Sequence, residues 1–396
     1  MGNFRKAFPG VNFVYISPHF PPNYYQFCLH LHHLGANVLG LADEPYDLLR
    51  PELRQALTEY YRVNDMHSYD ELLRALGLLT HRYGKIDRID SLNEYWLESE
   101  ARLRTDFNIP GLKSDEIARV KRKSLMKKIF NQAGVRTARG RVVHSLPQAK
   151  RLIDETGYPV VAKPDIGVGA ARTYKIHDAE ELKNFFEIKA PIDYIMEEFI
   201  QGSICSFDGL TDRDGNLVFY TAHEYSHGVM EAVNNDLLIY YYSLRDIPQD
   251  LEDAGCKVLK AFGVRERFFH FEFFRLEDQQ LVALEVNMRP PGGMTTDMFN
   301  FANDIDIYKE WAYVLMHNRF TADYARSYHC SYVGRKYNRH YAHTHEDVCK
   351  AFEGKIVYHE AISGVFSAAL GDYGYLVRSP DLGEILSAAD YIQQMA

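Results

Sequence analysis

The chain has 396 residues, 46% hydrophobic and 25% charged, with a formal net charge of −9. That make-up is ordinary for a globular protein too long for one core, so two or three subdomains are expected. The acidic balance speaks against non-specific binding to nucleic acid or an anionic membrane. No apolar run reaches bilayer length, and MGNFRKAFPG lacks a secretory leader, so a cytoplasmic location is expected.

In chain order, NFVYIS (12–17) predicts a strand, followed by an aromatic, Pro-rich loop, PHFPPNYY (18–25). A helix runs from Gln26 to Leu34, where Gly35 ends it. Strands follow at NVLGLAD (37–43) and EYYRVN (59–64), then a helix over 69–84 and a strand at IDRIDSLN (86–93). This alternation predicts a parallel, Rossmann-like α/β domain with crossover helices. The dinucleotide fingerprint GxGxxG is absent after the first strand. Open α/β sheets place ligand contacts where the aromatic loop lies, although its rings suit core packing equally. The domain is expected to span 1–113.

The segment 114–135 reads as a helix capped by Ser114 and closed by Gly134, with Leu125, Ile129 and Ala133 on one apolar stripe. Its basic residues, including Lys123, Lys127 and Lys128, read as a solvated face, with Lys123 the candidate for a functional role. YPVVAKPDIGVGAARTYKI (158–176) predicts two strands around a small-residue loop. Gly167 and Gly169 let backbone N–H groups approach an anion, and Lys163 adds a point charge. IDYIMEEFIQG (192–202) reads as a strand whose adjacent acids, Glu197 and Glu198, face opposite ways, with Phe199 and Ile200 as apolar surface. In TAHEYSHGVMEAVNN (221–235), His223 and His227 are candidate substrate contacts or ordinary polar residues. The five cysteines lack CxxC or Cys/His zinc spacing, which predicts reduced, mostly buried thiols.

FFHFEFFRLEDQQ (268–280) and LVALEVNMRPPGG (281–293) both alternate and predict a hairpin turning at Asp278–Gln279. An even turn there places Glu272 opposite Glu285 and His270 opposite Asn287. Val282, Leu284, Val286 and Met288 should then face the core. Facing carboxylates at ~4 Å and an effective dielectric of ~20 repel by about 4 kcal/mol. Protonation of one acid or a bridging divalent cation would relieve this. The oxygen of Asn287 favours a hard cation, and Arg289 suits a phosphate oxygen.

The series Lys123, Lys163 with its glycine loop, MEEFI, Glu272 and LEVNMRPPGG resembles the ATP-grasp superfamily, in its carboxylate–amine ligase branch. The likeness covers roughly residues 86–318. It implies an ATP-grasp domain over 114–318, with a lid of about 136–199 hinged near Gly140 and Ala190, and a C-terminal segment, 319–396, completing the substrate wall. The tail should hold two strands (356–362, 374–379) and a closing helix (382–394). The resemblance implies that Lys123 and Lys163 contact ATP phosphates beneath the loop at Gly167 and Gly169. Glu197, Glu198, Phe199 and Ile200 would hold adenine. Glu272, Glu285 and Asn287 would bind two Mg²⁺ or Mn²⁺, and Arg289 would steady the transferred phosphoryl group. One departure stands out: Ile204 replaces the acid that usually binds ribose, leaving Asp208 as its substitute or ribose binding weak. The implied activity is ATP-dependent ligation of a small carboxylate to an amine, and a homodimer is a common arrangement in similar proteins. Bicarbonate or thiol chemistry and a non-catalytic nucleotide-binding regulator remain open.

Overall fold

The computed structural model describes residues 10–167 and 172–396; Gly169 lies outside them. The first sheet comprises β1 (Asn12–Ile16), β2 (Asn37–Ala42), β3 (Glu59–Arg62) and β4 (Arg88–Asp90), in the order β3-β2-β1-β4. Its pairings are parallel, as the strand–helix alternation predicts. All five β1 residues are buried, because helices cover both faces of such a sheet. Phe13 and Tyr15 enter a core shared with Trp311 and Phe268, whereas Val14 and Ile16 enter a second core with Leu72 and Leu76. One strand thereby fastens the N-terminal sheet to the rest of the chain. In the aromatic loop, Tyr24 is core. Asn23 donates to Thr296, Asp297 and Tyr308, and Phe20 stacks on Phe366.

A small antiparallel sheet follows: β5 (Gly140–Val143), β6 (Val160–Pro164), β7 (Tyr174–Ile176) and β8 (Tyr194–Glu198), in the order β5-β8-β6-β7. It encloses its own core of Val143, Leu152, Leu182, Phe185 and Tyr194. The expected hinge at Gly140 is not borne out. Gly140 pairs with Glu197 inside the sheet, and a Cβ there would stand 2.6 Å from the Met196 carbonyl oxygen. Just before it, the chain is tied to the large sheet: Ala283 N–H donates to Arg136 O at 2.8 Å, and Thr137 bridges to Ala283.

The large sheet takes β9 (Ser203–Thr211), β10 (Leu217–Tyr225), β11 (Tyr240–Ser243), β12 (Phe268–Arg275), β13 (Leu281–Asn287), β14 (His329–Arg335), β15 (Ile356–Ala361) and β16 (Tyr373–Ser379). Its order is β13-β12-β9-β10-β11-β14-β16-β15, antiparallel throughout. The two strands and closing helix expected in the tail are present. The tail also holds β14 and the helix His345–Ala351, and all three of its strands extend this sheet rather than forming a separate layer.

The β12–β13 hairpin reaches the expected register by another route. Glu272 lies opposite Glu285 and His270 opposite Asn287, but nearer the turn the pairs are Phe273–Ala283 and Arg275–Leu281. The turn is odd, with Leu276 donating to Gln280 and Gln279 in the left-handed region (φ 66). A bulge at Leu284 supplies the compensating residue. It also flips the alternation: Ala283, Val286 and Met288 join the core with Phe269, Phe271 and Phe273, while Leu284, expected on that face, does not.

Candidate active site

The alternation of three neighbouring strands builds a polar stripe on one face of the large sheet. Across it, Ser206 and Asp208 of β9 pair with Glu272 and His270 of β12, which pair with Glu285 and Asn287 of β13. The opposite face is the phenylalanine core, so these side chains cannot rotate away from one another.

The acids are compensated by cations. Lys123 Nζ lies 3.2 Å from Glu285 Oε1, and His270 Nε2 lies 3.7 Å from Glu272 Oε1. Burial pushes the Glu272 carboxyl up, yet His270 and Arg289 hold it below the usual carboxylate range. Relief by a proton on Glu272, considered from sequence, is therefore disfavoured. The His270 charge comes from Asp208, whose Oδ1 meets His270 Nδ1 at 2.5 Å. Burial disfavours the imidazolium, but the Asp208 carboxylate overcomes this and raises the His270 pKa to about 9.

Asp208 is not a ribose contact. It is completely buried, and its second oxygen accepts from Ser206 Oγ and meets His223 Nδ1, both at 2.7 Å. His223 is equally buried, so it touches no substrate from this position. His227 lies beyond the end of β10, in the turn whose Gly228 approaches Ile204.

Opposite the stripe, the helix Lys123–Gln132 and the small sheet bring three lysines together. Asp165, at the end of β6, accepts from Ser124 N and Ser124 Oγ, while Lys123 N donates to Asp165 O. Those bonds tie the helix start to the strand that carries Lys163. Lys123 Nζ also donates to Gly167 O at 3.1 Å. Lys163 and Lys127 both grip Glu197, at 2.7 and 2.5 Å. Burial pushes the Glu197 carboxyl up, but the lysines hold it below its ordinary range. Glu197, expected against adenine, thus holds lysines. Glu198 faces the other way, as adjacent strand residues must, and pairs with Arg139. Phe199 carries Lys175 Nζ 3.7 Å above its ring.

Lys127, His270 and Asp165 therefore belong to the site although the sequence reading gave them no role. Lys127 had a usable signal, since it follows Lys123 by four residues and shares its helix face. Glu272, Glu285 and Asn287 offer the oxygen-only donors that suit Mg²⁺, and Arg289 follows them, its Nη1 donating to Pro290 O. Each of these acids already faces a cation that a metal ion could replace.

Residues 156–297 match the family model for the ATP-grasp domain. The chain is 24% identical over 209 residues to the carbamoyl phosphate synthase large chain of Bifidobacterium adolescentis, spanning 50% of this chain and 19% of that one. It is 22% identical over 247 residues to the L-arginine-specific L-amino acid ligase of Bacillus subtilis, spanning 60% of each. Among solved structures, the L-amino acid ligase from Bacillus licheniformis superposes with a TM-score of 0.73 at 15% identity, covering 96% of both chains. An N5-carboxyaminoimidazole ribonucleotide synthetase in complex with ADP gives 0.71 at 14%, covering 98% of this chain and 97% of that one.

Proposed function

We propose that the chain is an ATP-dependent ligase that joins a small carboxylic acid to an amine through an acyl phosphate, a reading supported by the match of residues 156–297 to the ATP-grasp domain. The observation that carries this reading is the placement of Glu272 and Glu285 opposite each other, flanked by Asn287, with Lys123 reaching Glu285 from across the cleft. On this reading residues 114–318 hold the nucleotide and 319–396 close the substrate side.

Phosphoryl transfer needs positioning and charge neutralisation more than covalent help from the protein. Lys123 and Lys163 meet the phosphates of ATP, which take over the charge that Glu285 and Glu197 satisfy in the free protein. Glu272, Glu285 and Asn287 would hold Mg²⁺, which would supply neutralisation of the phosphate charge. Arg289 steadies the γ-phosphoryl group. The substrate carboxylate oxygen attacks the γ-phosphorus and the bond to ADP breaks. The amine nitrogen then attacks the acyl carbon, loses a proton to solvent as the amide forms, and phosphate leaves with the former carboxylate oxygen.

The test is ADP release over a panel of acids and amines, with mass detection of the product and hydroxylamine as a trap for acyl phosphate. Release should require both an acid and an amine, and a hydroxamate should form when hydroxylamine replaces the amine. Glu285→Gln should lower turnover by at least about a hundredfold, with an unchanged far-UV spectrum. Chelation should abolish turnover and Mg²⁺ restore it. Full activity of Glu285→Gln, or nucleotide binding without acid-dependent ADP release, would overturn the proposal.

A further inference from the structure

At the far edge of the large sheet, away from the acid stripe on β12 and β13, lies a cluster that nucleotide chemistry does not use. His345 and Cys349 sit four residues apart on one face of the helix His345–Ala351. His359 faces them from edge strand β15. A ligand atom from each residue lies within 4.8 Å of the other two. Cys349 Sγ is 3.6 Å from His345 Nε2, close to the ligand separation in a tetrahedral site with bonds of ~2.0–2.3 Å.

The surroundings orient both rings. His345 Nδ1 meets Tyr375 Oη at 2.9 Å, and His359 Nδ1 meets Tyr373 Oη at 2.6 Å. In the tautomer in which each Nδ1–H donates to its hydroxyl, each Nε2 keeps its lone pair for an ion. Metal-binding histidines are held in this way. Cys349 and His359 line a cleft of about 400 Å³, so the cluster is open to ions from solvent.

We propose that His345, Cys349 and His359 form a binding site for one zinc-class divalent ion, separate from the Mg²⁺ site of the ATP cleft. Two imidazoles and a thiolate are the borderline-soft donors that Zn²⁺ takes. On binding, two Nε2 atoms and Sγ displace all but one water from the aqua ion, the thiol proton leaves to solvent, and the remaining water keeps the fourth position. The ion staples an edge strand to a helix and so stiffens an edge otherwise free to fray or pair with another chain. The sequence hides the site because its third ligand comes from a strand ten residues further on, outside the usual Cys/His spacings.

The test is metal content after dialysis against limiting Zn²⁺ in excess Mg²⁺, with Co²⁺ as a spectroscopic probe. One zinc per chain is expected, along with a thiolate-to-cobalt charge-transfer band. Cys349→Ser and His359→Ala should weaken Zn²⁺ binding at least about a hundredfold, and Tyr373→Phe about ten- to a hundredfold. Cys256→Ser, which alters the exposed cysteine, and Glu285→Gln should keep the ion. His359 is exposed and Cys349 half-buried, so both variants should fold, as far-UV spectra would check. Zinc content unchanged in Cys349→Ser and His359→Ala, or a cobalt spectrum without the thiolate band, would overturn the proposal.

Discussion

A carboxylate inside a protein stays charged when donors replace the water it has lost. Asp208 meets that condition with His270, His223 and Ser206 around it. Burial raises its pKa, but the two histidines and their hydrogen bonds bring it down to about 2. A depressed carboxylate pKa contributes stability above the unfolded value, and that contribution is lost as pH falls through the folded one. Asp208→Asn should therefore cost about 3 kcal/mol near neutral pH, where it leaves His270 without its anion. The difference from the unaltered protein should shrink as pH drops from about 4 towards about 2. Urea unfolding at both ends of that window measures it, and a gap independent of pH would show that Asp208 is not the titrating group. His270 matters for the same reason: its positive charge lies between Asp208 and Glu272, so the stripe carries less net repulsion than its acids alone suggest.

Among the secondary-structure elements, the helix Gln249–Phe262 and strand β9 approach closely enough to demand a glycine. A Cβ on Gly255 would stand 2.2 Å from Cδ1 of Phe207, a fully buried ring on the core side of β9. Gly255→Ala should lower stability by about 1–3 kcal/mol through overpacking. Combining it with Phe207→Leu should recover part of that loss, which a double-mutant cycle of thermal melts reads directly. Additive losses would mean that the two residues do not share the strain. At the other edge of the sheet, the bulge at Leu284 keeps Ala283 in the core and Glu285 over the cleft, although the two are separated by an even step along the chain.

At the scale of the whole molecule, charged contacts join the small sheet to the helix Lys123–Gln132, whose Lys123 reaches Glu285 of the large sheet. Glu197 with Lys127, and Asp165 with Ser124, cross from the small sheet to the helix Lys123–Gln132, while Lys163 meets the same Glu197 from within the small sheet. Such contacts can exchange partners when phosphates arrive, whereas the apolar cores on either side remain intact. MgATP should slow amide exchange across residues 140–198 more than in the N-terminal sheet, and raise the melting temperature. A hundredfold excess over Kd corresponds to about 2.7 kcal/mol of added stability. Uniform protection of the chain, or none, would count against closure of this sheet over the nucleotide.

Local periodicity in the sequence was enough to read the parallel N-terminal sheet, the acid-bearing hairpin and the end of the tail, because burial imposes a repeat of two on strands and 3.6 on helices. It set Glu272 against Glu285 as well, but through an even turn, whereas the chain reaches that pairing through an odd turn and a bulge that cancel. Other features needed the folded chain. The Leu284 bulge, the claim of Lys127 and Lys163 on Glu197, the burial of Asp208 between two histidines, and the meeting of His345, Cys349 and His359 all depend on partners distant in sequence. A pattern along one segment records which face is buried. Which charge is brought against that face is decided by packing between segments, and no local repeat encodes it.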